Sequence, residues 1–106
     1  MSDDGDRMIG PAEFSGGRVA SFAAREGAAH VFVHGTSGNV YRLGFSGVRS
    51  LRERRAEGMQ LHALIDRPAR RGGPRTFTFV GEDAAADACL EIVATDVTIE
   101  PAAAAV

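Results

Sequence analysis

Apolar residues recur at every second position in several stretches of this chain, and that period constrains the fold more than any other feature. In "VYRLGF" (40–45), Tyr41, Leu43 and Phe45 share one parity, and Val40 and Arg42 the other. In "MQLHALID" (59–66), Met59, Leu61, Ala63 and Ile65 alternate with Gln60, His62 and Asp66. "RTFTFV" (75–80) sets Phe77 and Phe79 against two threonines. Side chains of a strand alternate between faces, so a period of two predicts half-buried strands. "GRVASFAAREG" and "HVFVHG" add strands at about 18–25 and 29–34, with Phe22, Ala20 and Ala24 on one face of the first and Val19, Ser21 and Ala23 on the other. "GTSGN" (35–39) supplies the Gly and Asn that hairpin turns need.

"ACLEIVATDVTIE" (88–100) reads as one long strand or two consecutive ones. Leu90, Ile92 and Ala94 share a parity, while Val97 and Ile99 take the other. That switch predicts a bulge or bend near Ala94–Asp96. "RPARRGGP" (67–74) reads as a loop, and "GEDAAAD" (81–87) as a turn with at most one helical turn in it. No long amphipathic helix competes. The expected fold is mainly β: an antiparallel meander forming a small sandwich or a curled, barrel-like sheet, with at most one short helix. Leu43, Phe45, Leu61, Ile65, Phe77, Phe79, Leu90 and Ile92 are the expected core.

With 106 residues the chain makes one domain. Its ordered part is expected at about 8–101, with residues 1–7 and 102–106 as flexible ends. An apolar fraction of 44% and a charged fraction of 25% are ordinary for a globular protein. The acidic start "MSDDGDRMIG" has no apolar signal region, and no apolar run approaches the ~20 residues of a membrane span. Both predict a cytoplasmic protein with no membrane partner.

Twelve basic residues are all arginine. With the abundant alanine and glycine, this fits the codon bias of a GC-rich bacterial genome. The charges are segregated. Residues 49–75 hold eight arginines and three acids, whereas residues 82–106 hold six acids and no arginine. The densest run, "SLRERRAEG" (50–58), lies in "SGVRSLRERRAEG" (46–58), which has two readings. As a helix, Ser46 would cap and Gly58 would end it, with an Arg49–Glu53 pair. As an extended segment, it would leave the sheet at Arg52. Only Val48 and Leu51 could form an apolar stripe, and the surrounding meander favours the extended form.

"YRLGFSGVRSL", "EGMQLHAL", "FTFV" and "LEIVATDVTIE", together covering about residues 40–100, resemble small uncharacterised bacterial β-rich domains with an L-x-F-x-x-V-x-x-L segment and a terminal L-E-I-x-A strand. The resemblance implies a β fold and a bacterial setting, in some cases near toxin–immunity clusters. It implies no catalytic residues.

Candidate chemistry is sparse. His30 and His34 flank "VFV" on a strand, where four residues span ~13 Å, so they cannot share one metal ion. His62 is the remaining histidine. "GTSGN" lacks the phosphate-loop frame, and "RRGGPR" is a solvated loop that could cradle an anion. Ser37, Ser46 and Ser50 lack a nucleophile-elbow frame. Glu82 and Asp83 read as solvated carboxylates. Cys89 is the only cysteine, and its apolar neighbours predict a buried or half-buried, inert thiol. These readings predict no catalysis, no metal and no cofactor.

The arginines Arg49, Arg52, Arg54, Arg55, Arg70 and Arg71 are the candidate interaction residues. Nucleic-acid modules usually combine a basic pI with interleaved aromatics. Here the pI is about 5.9 and no aromatic lies between Phe45 and Phe77. The expectation is a protein-interaction module, immunity-like or homodimeric, in which Arg52, Arg54 and Arg55 face solvent and pair with acids. The alternative is an anion- or nucleic-acid-binding module using residues 49–75. A continuous positive face favours the alternative; arginines lying against Glu91, Asp96 and Glu100 favour the first.

Overall fold

The computed structural model describes residues 6–69, 73–82 and 88–102. Nine strands follow in chain order: β1 (Arg7–Ile9), β2 (Arg18–Arg25), β3 (Ala28–His34), β4 (Val40–Ser46), β5 (Ser50–Arg54), β6 (Leu61–Arg67), β7 (Arg75–Gly81), β8 (Cys89–Ala94) and β9 (Asp96–Ala102). One 3-10 turn, Ala12–Phe14, is the only helical element among the described residues. The strands form two antiparallel sheets, β1-β6-β7-β8-β5 and β2-β3-β4-β9, stacked as a small sandwich and not closed into a barrel.

Two corners join the sheets. At one, residues 40–54 run beside residues 89–102 as a single bent ribbon. β4 pairs with β9 from Val40↔Ala102 to Ser46↔Asp96, and β5 pairs with β8 from Ser50↔Val93 to Arg54↔Cys89. The bend falls at 47–49 and Thr95, where the parity of the sequence changes. Gly47 makes it possible: its φ is +63°, and an added Cβ would lie 2.8 Å from Thr95 Cβ. At the other corner, the start of β2 is stitched to the start of β6. Leu61 N–H donates to Gly17 O (2.8 Å) and Val19 N–H to Met59 O (2.9 Å).

The core lies between the sheets. Val19, Val31, Val33, Leu43, Leu61, Leu64, Phe77, Phe79, Leu90 and Ile92 are all buried. Phe45 meets Phe77 and Phe79 edge-on, at centroid separations of 5.2 and 6.2 Å. Each such contact adds about 0.5–1.5 kcal/mol beyond the burial of the rings.

The structure corrects the expected faces at three points. Ile65 is only half-buried and points outward, while Leu64 and Asp66 point inward and are fully buried. The cause is a register shift between Leu61 and Ala63, which reverses the parity of β6 beyond His62. A similar shift between Val19 and Ser21 lets Val19 and Phe22 both face the core. Cys89, expected to be buried or half-buried, is exposed, because it has the parity opposite to Leu90 and Ile92 on β8.

The ends extend further than expected. Arg7 opens β1 and Ala102 closes β9. The expected flexible residues 1–5 and 103–106, the loop arginines Arg70 and Arg71, and most of the 81–87 turn lie outside the described residues. Ser50–Arg54 is a strand and not a helix, as the meander implied, but it stays paired with β8 as far as Arg54 and does not leave the sheet at Arg52. Among the described residues, no helix is long and apolar enough to cross a membrane.

Candidate interaction surface

β5 is an edge strand: β8 lies on one side of it and no strand on the other among the described residues. Its sequence sets Leu51 against the core and Ser50, Arg52 and Arg54 on the opposite, outer face. Arg49 N–H, donating to Val93 O at 2.7 Å, fixes where the strand begins. Glu53 Oε2 accepts from Ala56 N–H at 3.0 Å and closes the turn that ends it. Arg55 sits in that turn with φ +51°, the one non-glycine residue in the left-handed region among those described.

The expected arginine cluster divides. Arg52 and Arg54 share one face of β5 and, with Glu53 and Cys89, line a shallow depression. Arg55 lies around the turn, on a recess of about 340 Å³ shared with Glu57, Met59 and Gly81. Arg49 faces a different groove, of about 420 Å³, with Pro68, Gly73, Pro74, Arg75 and Thr95. Arg52, Arg54, Arg55 and Arg49 are all exposed.

Three arginines lie against acids of the C-terminal third. Arg52 is 3.6 Å from Glu91, the residue directly opposite it on β8. Arg42 is 3.2 Å from Glu100, its partner on β9. Arg75 reaches Asp96 at 3.7 Å. Exposed pairs of this kind contribute only about 0–1 kcal/mol each. Within the basic segment, Arg52 and Arg75 are thus each set against an acid of β8 or β9.

Two polar constellations lie outside the sequence-based candidates. The first surrounds Asp66, the only fully buried charged residue among those described. Arg75 grips it through Nη2 (2.7 Å) and Nε (3.3 Å), and Arg7 Nη2 donates at 3.3 Å. Hydrogen bonds from Arg75, with help from Arg7, hold the Asp66 carboxyl below the usual carboxylate range despite its burial. Asp66 in turn raises the Arg75 guanidinium, which also packs 5.4 Å from the Phe77 ring centre. The second centres on Glu13, which accepts hydrogen bonds from Ser37 Oγ, Tyr41 Oη and Asn39 Nδ2 and so ties the 3-10 turn to the β3–β4 hairpin. The bonds from Ser37, Tyr41 and Asn39 lower its pKa to about 2. Glu13 raises the Tyr41 phenol in return. Both constellations have their hydrogen bonds satisfied within the chain, which is the signature of structural clamps.

His30 is exposed and His34 half-buried, at the middle and end of β3, and His62 is exposed on β6. Among the described residues, no three His, Cys, Asp or Glu side chains converge. No protein-family model, curated protein or solved structure matches the chain.

Proposed function

We propose that this chain is a small protein-interaction module, immunity-like or self-associating, that works through the basic edge strand β5 and carries out no catalysis. The observation that carries the reading is the placement of Arg52, Arg75 and Arg42 against Glu91, Asp96 and Glu100. A guanidinium held by a carboxylate must give up that partner to neutralise a phosphate. The net gain on a polyanion is then small, and no aromatic side chain flanks Arg52 or Arg54 to stack a base. Pairs between exposed charges exchange easily with charges on a partner surface. They orient an encounter more than they hold it. The open backbone of β5 supplies the holding contact, since an extended segment can add to a sheet edge through main-chain hydrogen bonds.

One feature favours the alternative of anion binding. Arg49 makes no ion pair with a described residue and shares its groove with Arg75, so a small oxyanion could lodge between them. Asp66 and Asp96 already balance much of the charge of Arg75, which leaves this the weaker reading.

The test is affinity capture from a bacterial lysate with the wild-type chain and the Arg52→Glu/Arg54→Glu variant as baits. The proposal expects at least one protein, this chain included, to be retained by wild type and lost from the variant. An identical retained set from both baits would remove β5 as the working surface.

A further inference from the structure

We infer that the partner of β5 is strand β9 of a second copy of this chain, added edge to edge to join the two sheets. This inference rests on the interaction reading above and names its partner.

Two sheets have four edges: β1, β5, β2 and β9. β1 has three residues, too few for a stable pairing. The start of β2 is occupied by the Met59–Leu61 stitch, and its open part, Ser21–Arg25, carries no acid to complement β5. β5 and β9 remain, with five and seven residues, each paired on one side only among the described residues. An open edge is a row of unmet N–H and C=O groups, and natural sheets guard such rows with charge. Here the two guards have opposite signs. The outer face of β5 carries Arg52 and Arg54, and the outer face of β9 carries Asp96 and Glu100.

The faces also match. In an antiparallel pair, residues directly opposite point to the same side. Setting Arg54 opposite Asp96 of the partner subunit places Ser50 opposite Glu100 of the partner subunit. Arg52 then faces Thr98 of the partner subunit and lies diagonally between the two acids, within reach of its long side chain. On the inner side, Leu51 meets Ile99 of the partner subunit, and the exposed Glu53 lies opposite Val97 of the partner subunit. Pro101, which has no N–H, falls beyond the first residue of β5 and interrupts nothing.

The competing self-pairing of β5 is disfavoured by the same charges. Two copies of β5 running antiparallel about their centre would set Arg52 against Arg52, and like charges directly opposite destabilise a sheet. A β5–β9 contact joins two different surfaces, so each copy keeps one free edge and association continues beyond the dimer unless it closes into a ring. Five residue pairs make a small interface, which places the affinity in the weak, transient range.

Sedimentation velocity on the intact chain at about 20 µM to 1 mM, a range that brackets weak association, tests the inference. The average mass is expected to rise from 11.1 kDa past twice that value with concentration, and to fall as added salt shortens the Debye length below about 10 Å. Arg52→Gln/Arg54→Gln and Asp96→Asn/Glu100→Asn should each be monomeric while keeping the wild-type circular dichroism. An equimolar mixture of the two should form a dimer and stop there, since each variant retains one working edge. A variant that loses the wild-type spectrum is replaced by the chain with all four charges reversed, which should regain self-association. A wild type monomeric throughout, a β5 variant that still associates, or a mixture that does not pair would overturn the inference. If wild type is monomeric while the lysate experiment captures a different protein through Arg52 and Arg54, only the second copy is excluded and the interaction reading stands.

Discussion

Replacing Asp66 with asparagine keeps the shape of the side chain and removes its charge. The carboxylate is fully buried and accepts three guanidinium hydrogen bonds, two from Arg75 and one from Arg7. Asparagine retains one acceptor oxygen and turns an NH₂ toward donors that have nothing to give it. Removing one partner of a buried ion pair commonly costs 3–5 kcal/mol. The arginines here are not fully buried: the Arg75 side chain is 29% exposed and that of Arg7 66%. Both can recover water, so the expected loss is smaller, about 2–3 kcal/mol. Urea unfolding at neutral pH should show the midpoint falling by roughly 1–2 M at unchanged slope. The pH dependence adds a second reading. The Asp66 pKa is lowered in the folded state, so its stabilisation is fully present above the unfolded value of about 3.9 and is lost as pH falls through the folded value. Wild type and Asp66→Asn should therefore converge in strong acid. A difference below about 0.5 kcal/mol at neutral pH would refute the argument that this buried charge clamps β1 and β7 to β6.

Other expectations follow from particular contacts. Glu13→Gln should lower stability above about pH 5 and lose its effect toward pH 2, because the folded pKa of Glu13 lies near 2 against an ordinary 4.5; a gap between the two proteins that is constant from pH 5 to 2 would contradict this. Gly47→Ala should cost about 2–3 kcal/mol in thermal or urea unfolding, since alanine must adopt a positive φ and crowd Thr95; a neutral substitution would mean the ribbon bends elsewhere. Cys89 should react with a neutral thiol reagent in the native state nearly as fast as after denaturation, given its exposure, and slow native labelling would place it inside.

Much of the fold was legible because strand periodicity is local. Seven of the eight expected core residues are buried, and the parity switch near Ala94–Asp96 marks where the chain passes from one sheet to the other. What escaped depends on events that leave no trace in the pattern. The bulge after Leu61 turns Ile65 outward and Asp66 inward, and the apolar run Ala63-Leu64-Ile65 in "LHALID" fits either parity, so the pattern does not place it. The strand Arg7–Ile9 exists because β6 offers it an edge, and Glu13 gains its role from donors 24–28 residues away. Cys89 was a different kind of miss: its apolar neighbours suggested burial, but the parity of Leu90 and Ile92 already placed it outside. For the candidate surface, charge segregation pointed to Arg52 and Arg54, and the pairing with Glu91 was an available expectation. That Arg49 and Arg55 face other grooves depends on the bend at Gly47 and the positive φ of Arg55.

The central claim is that the arginines of this chain serve protein contacts and not phosphate. Titration with mixed-sequence DNA and RNA at about 50 mM and 200 mM salt tests it most directly, because binding through phosphates weakens steeply over that range. The account predicts no saturable binding at micromolar protein at either salt, for wild type and for Arg52→Ala/Arg54→Ala/Arg55→Ala alike. Micromolar binding that falls steeply with salt and vanishes in the triple variant would contradict it.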